Sequence, residues 1–120
     1  MRLIVGVDDS DHGIQTLEEA IERARAAGDE VTVAVYSERD TDLSDLEQTV
    51  SDKLAASSFD ADIVRLEGNP GSELLELAEH GEYDQILLSG GRRSPLGKIK
   101  LSSTIEFVLL NAQTTVTLVR

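Results

Sequence analysis

The chain contains no cysteine, which excludes disulfides, thiolate catalysis and Cys-bound zinc. Aromatic residues make up only 3% of it, so its core must be built from Leu, Ile, Val and Ala. No apolar run approaches the ~20 residues of a membrane span. The opening Met1-Arg2-Leu3-Ile4-Val5 runs straight into a strand pattern without signal-peptide architecture, and a cytoplasmic location is the default expectation. Cationic surface is scarce as well. A net charge of −12 argues against nucleic acid, whose binding needs positive area to displace counterions, and against anionic membranes. Lys53, Lys98 and Lys100 are the only lysines. Excess acid with so little lysine resembles the halophilic composition of proteins from salt-accumulating microbes, with an ordinary acidic mesophile protein as the alternative.

What is present is 120 residues, 40% hydrophobic and 28% charged, as expected of a single globular domain over 1–120. Leu3-Ile4-Val5-Gly6-Val7 reads as a strand buried on both faces. Asp8-Asp9-Ser10-Asp11 is a turn rich in helix-capping types. Ile14, Leu17, Ile21 and Ala24 recur at helical spacing, with Gly28 as a stop. Val31 to Tyr36 predicts a second strand, and the resulting βαβ unit implies a parallel pair. Glu38-Arg39-Asp40-Thr41-Asp42 is a charged loop. Leu43, Leu46, Val50 and Leu54 mark a second helix, with Asp42 and Ser44 both plausible as its cap. Asp62 to Leu66 predicts a short third strand. Asn69 and Pro70 suit the cap and first position of a third helix, which Gly81 ends. Gln85 to Leu88 predicts a fourth strand. Ser103-Thr104-Ile105-Glu106 has capping-box spacing, and Ile105, Val108, Leu109 and Ala112 mark the core face of a fourth helix. Thr115 to Val119 predicts the last strand. This alternation favours an α/β fold, an open parallel sheet with helices on both faces.

The stretch from Ser89 to Ser103 stands out. Arg92, Arg93, Lys98 and Lys100 are four of eleven basic residues, and no Asp or Glu lies between Asp84 and Glu106. A strand, a glycine-rich basic loop with Gly90, Gly91 and Gly97, and a helix start together suit an anion-binding turn. The other reading is a solvated surface loop. In open parallel sheets ligands sit beyond the carboxyl ends of the strands, so the Asp8 turn and this loop could share one site.

These residues resemble the universal stress proteins over nearly the whole chain. Val5-Gly6-Val7-Asp8-Asp9-Ser10 is similar to the family's first strand and Asp-x-Ser turn. Gly68-Asn69-Pro70 is similar to its Gly-x-Pro, and Asp84-Gln85-Ile86-Leu87-Leu88 to its Asp-Leu-Ile-Val-Met. The tail, through Ser103, Glu106, Val108 and Val116 to Arg120, resembles the C-terminal third. The resemblance implies a five-stranded sheet of order 3-2-1-4-5, a Rossmann-like fold of the adenine-nucleotide alpha-hydrolase type. It also implies a homodimer and, in many members, one ATP between the first and fourth strands. One feature departs from the family. Nucleotide-binding members carry Gly-x-x-Gly, nine residues, then Gly-Ser or Gly-Thr. Here the glycine positions hold Ser89, Arg92 and Ser102, and only Ser103 matches. Gly90, Gly91 and Gly97 would supply backbone freedom nearby, and Arg92 and Arg93 charge-assisted bonds.

By that resemblance Asp8 would lie near the nucleotide, through Mg²⁺ or the ribose; its other role is a turn acid. Ser10 is a helix cap or a ligand contact. Val35 matches a position beside the adenine, or is a core-edge valine. Ser103 caps the helix, and its N–H could also meet a phosphate. His12 and His80 read as surface residues. No Ser/His/Asp set or carboxylate pair stands out, so dedicated catalysis is not expected. Asp8-Asp9 also permits a receiver-like phospho-acceptor domain. That fold needs an Asp ending the third strand and a Lys-Pro after the fifth, where this chain has Leu66-Glu67-Gly68 and Arg120. A third reading is a dimeric interaction protein of the same fold that binds no nucleotide. The uncharged strand Thr115–Val119, which the family order puts at a sheet edge, is the expected homodimer contact.

Overall fold

The structure, a computed structural model, describes residues 1–39, 41–89, 92–93 and 99–119. At its centre lies β1 (Arg2–Val7), whose apolar run is buried on both sides. It pairs in parallel with β2 (Glu30–Val35), Leu3 opposite Val31 and Val7 opposite Val35, and with β4 (Gln85–Ser89), Ile4 opposite Ile86. β3 (Asp62–Arg65) adds to β2. Two two-residue strands, β5 (Arg92–Arg93) and β6 (Ile99–Lys100), form a separate antiparallel ladder that the sequence pattern does not suggest. The last strand, β7 (Thr115–Val119), adds to β4. The main sheet therefore runs β3-β2-β1-β4-β7, which is the expected order 3-2-1-4-5 counted over its five strands. A receiver domain has the order 2-1-3-4-5, so that reading falls on topology.

Alternation along β1 divides the core in two. Leu3, Val5 and Val7 pack with Leu17, Ile21 and Ala24 of α1 (Asp11–Ala27) and Leu46, Val50 and Leu54 of α2 (Ser44–Ala56). Ile4 packs on the other face with Leu74 and Ala78 of α3 (Pro70–His80) and Ile105 and Val108 of α4 (Ser103–Asn111). Tyr36 and Leu88 fill that second layer, and Leu88 shows why residue 6 is glycine. A β-carbon there would stand 2.4 Å from Leu88 Cδ2 and 3.4 Å from the Tyr36 ring.

The helix ends follow the sequence with two differences. Ser10 caps α1 and Asn69 caps α3, with Pro70 in the first helical position and Gly28 closing α1 at φ 74°. Leu43 precedes α2 without a side-chain cap; the Asp42 carboxylate instead accepts the Ser44 N–H at 2.8 Å. That bond holds the Asp42 carboxyl below its usual range. The cap of α4 is Ser102, not Ser103: its hydroxyl accepts the Ile105 N–H at 3.2 Å, and Ser103 becomes the first helical residue. This one-residue shift buries Thr104 with Ile105 and Val108, and leaves Leu109, at the margin of the stripe, 41% exposed. Among the described residues no helix is long and apolar enough to cross a membrane.

Candidate functional site

The carboxyl ends of β1 and β4 lie side by side, because the two strands pair directly. The turn after β1 is held by its own acid. Asp8 Oδ1 accepts the Ser10 N–H at 3.2 Å and the Ser10 hydroxyl at 2.6 Å. The Ser10 oxygen in turn accepts the Gly13 N–H at 3.3 Å, which starts α1. Asp8 and Ser10 thus both perform the turn and cap roles that their residue types suggest.

Four of the residues singled out in the sequence meet here. Asp8, Ser10, Ser89 and Ser102 line one cavity of about 330 Å³, together with Asp9, His12, Glu38, Arg39, Leu101 and Ile105. Ser103 is not in it. With Thr104 it lines a neighbouring cleft of about 770 Å³, formed by the loops after β2 and β3 and the starts of α3 and α4. Val35 lines neither; its side chain is wholly buried in the core between the sheet and α1 and α2. The backbones of Arg92 and Arg93 form β5, directly after β4. Gly90, Gly91 and Gly97 lie outside the described residues.

The sequence reading missed the contribution of the loop after β2. Its residues are tied to the β1 turn: the Thr41 hydroxyl donates to Ser37 at 2.8 Å, the Ser37 hydroxyl donates to Asp9 Oδ2 at 3.4 Å, and Thr41 Oγ1 itself lies 3.4 Å from that oxygen. Glu38 reaches across to α4, where its Oε1 accepts the Thr104 N–H at 3.0 Å and the Ser103 hydroxyl at 3.5 Å. The signal available for it was topological. Every strand of a parallel sheet delivers its next loop to the same end, so with β2 beside β1 the Glu38 loop falls at the cleft.

The electrostatics are mixed. Backbone donors at the start of α4 favour an anion. Asp8, Asp9 and Glu38 oppose one, and the same three carboxylates act on the phenol of Tyr36. Burial first, and then these charges, push its pKa far above the ordinary value of 10.0. Among the described residues no three His, Cys, Asp or Glu side chains converge as a metal site. The donor set therefore fits Mg²⁺ only as a companion of bound phosphates, with Asp8 as one available carboxylate.

No curated protein matches the chain significantly. Among solved structures, one of a universal stress protein from Archaeoglobus fulgidus superposes with a TM-score of 0.76 at 22% identity, covering 100% of this chain and 98% of that one. A universal stress protein solved in complex with cAMP gives 0.78 at 22% identity, over 99% and 95% of the two chains. The universal stress protein from Archaeoglobus fulgidus in complex with dAMP gives 0.70 at 18% identity, over 100% and 98%. Such identities establish a shared fold. The model of the universal stress protein family matches residues 1–120. With that match spanning the sheet, all four helices and the cleft, the chain belongs to the universal stress protein family.

Proposed function

We propose that this stress-response domain binds an adenine nucleotide, ATP or a smaller relative, or another phosphorylated ligand, in the cleft beyond β1 and β4, without dedicated catalysis. The observation that carries the reading is the convergence of Asp8, Ser10, Ser89 and Ser102 on one cavity beside the start of α4. Support also comes from the cAMP and dAMP complexes of proteins that share the fold. In this reading the N–H groups of Ser103 and Thr104 meet a phosphate, Arg92 and Arg93 add charge-assisted bonds, and Gly90, Gly91 and Gly97 let the ligand approach the backbone. Asp8 lies toward the ribose, or toward Mg²⁺ brought by the phosphates. Val35 supports the strand next to the base from within the core rather than by contact. A salt-rich cytoplasm is the expected setting, the net charge of −12 suiting concentrated salt.

A homodimer through β7 belongs to the same reading. β7 stands at one edge of the sheet, and Thr115–Val119 carries neither charge nor proline. The opposite edge, β3, carries Asp62 and Arg65. Charges blunt an edge against pairing, so β7 is the edge suited to a second copy.

A second reading, an interaction protein that binds no nucleotide, is favoured by one observation: Glu38 already occupies the start of α4. Mass spectrometry of small molecules released from gently purified protein separates the two. Adenine nucleotide at near-stoichiometric yield is the expected result. A blank, with no heat on titrating ATP, cAMP or AMP in concentrated KCl, overturns nucleotide binding.

A further inference from the structure

Glu38 and Thr104 are 66 residues apart in the chain, yet the Glu38 carboxylate accepts the Thr104 N–H at 3.0 Å. The Ser103 hydroxyl donates to the same oxygen at 3.5 Å. The first turn of α4 therefore holds an anion supplied by the chain itself. A second observation concerns shape. The cavity beside Asp8 and the larger cleft beside Asn69 share one lining side chain, and among the described residues Glu38 alone belongs to both. Glu38 is the partition between them.

The residues flanking Glu38 make hydrogen bonds of their own. Ser37 and Thr41 are tied to Asp9, and the Arg39 N–H donates to Ser37 Oγ at 3.2 Å. The Glu38 side chain is exposed and reaches α4 through rotatable bonds. Rotation about those bonds would free it from α4. Water then satisfies the carboxylate, and the backbone donors of α4 are released into a cleft no longer divided.

We infer that Glu38 is an autoinhibitory latch on the proposed phosphate seat. It rests on the reading of this cleft as a site for phosphorylated ligands. A ligand phosphate enters by displacing the carboxylate, not by adding to it, since two anions cannot share one N–H. The displaced charge remains close, beside Asp8 and Asp9, so the penalty grows with ligand charge. A neutral nucleoside pays little of it, a monophosphate more, and a triphosphate most. Affinity for an anion is lowered by the fraction of molecules with the latch open; a latch closed about nine-tenths of the time lowers it about tenfold.

The test uses the full chain, with Glu38→Ala to remove the latch and Glu38→Gln to keep its size without its charge. Inorganic phosphate, ATP and adenosine are titrated at constant KCl, and the Thr104 amide resonance is followed by NMR. In Glu38→Ala, phosphate and ATP should move that resonance at about tenfold lower concentration than in wild type, with Glu38→Gln close behind and adenosine changed less than about twofold. Equal phosphate midpoints in wild type and Glu38→Ala overturn the latch, whether or not nucleotides bind. A phosphate gain with no response to either adenine compound leaves the latch standing and sinks the nucleotide reading instead.

Discussion

A β-carbon on Gly13 would stand 2.5 Å from the carbonyl oxygen of Asp8 and 2.8 Å from its carboxylate. The first turn of α1 therefore packs directly on the turn that ends β1, and only glycine permits that distance. The obstructing atom is backbone and cannot rotate away.

Gly13→Ala is expected to destabilise the fold by about 1–2 kcal/mol. Overpacking costs about 1–3 kcal/mol, and the better helix propensity of alanine returns up to ~1. Chemical denaturation measures the difference. Stability equal to wild type would mean that the Asp8 turn yields without cost.

Ser102→Ala and Ser103→Ala should differ, although both serines precede or begin α4. Ser102 caps the helix through the Ile105 N–H, so its loss costs ~1 kcal/mol. The Ser103 hydroxyl makes one long hydrogen bond, 3.5 Å to Glu38, and its truncation should stay within ~0.5 kcal/mol. Denaturation midpoints of the two variants decide it; the reverse ranking would restore the cap to Ser103.

Tyr36 should make the protein sensitive to alkali. Its folded-state pKa is raised above the unfolded value of 10.0 by burial and by Asp8, Glu38 and Asp9. Above pH 10 the unfolded chain loses the phenolic proton while the folded chain keeps it. The contribution to stability is therefore complete below that pH and falls as pH rises, by at most ~1.4 kcal/mol per pH unit. Tyr36→Phe should shrink the drop in melting temperature between about pH 9 and pH 11. An unchanged drop would assign alkaline unfolding to other groups.

Val116→Pro should shift the protein from dimer to monomer, if β7 pairs with a second copy. Val116 lies opposite Ile86 in the middle of the edge strand, where a proline removes a donor and obstructs the ladder. Light scattering after size exclusion at micromolar protein and high salt reads the mass, with a circular-dichroism melt as the folding control. A monomeric wild type counts against the interface.

Local patterns in the sequence determined the elements. The apolar runs of β1, β2 and β4, the helical spacing of Leu17, Ile21 and Ala24, and the caps at Ser10 and Asn69 depend on neighbours within about one helical turn, so residue order alone carries them. The strand order came from resemblance to a family, since periodicity says what an element is but not what it lies beside. The start of α4 was legible only to within one residue, because adjacent serines offer the same capping group and packing of Thr104 selects between them. Val35 matches a site position by family resemblance but reads more simply as a core-edge valine, and the closed sheet buries it wholly. The contact of Glu38 with Thr104 was decided by tertiary structure alone. A lone acid in a charged loop looks like any solvated side chain, and it becomes part of the cleft only because β2 pairs with β1 and β1 with β4, which delivers its loop to the start of α4.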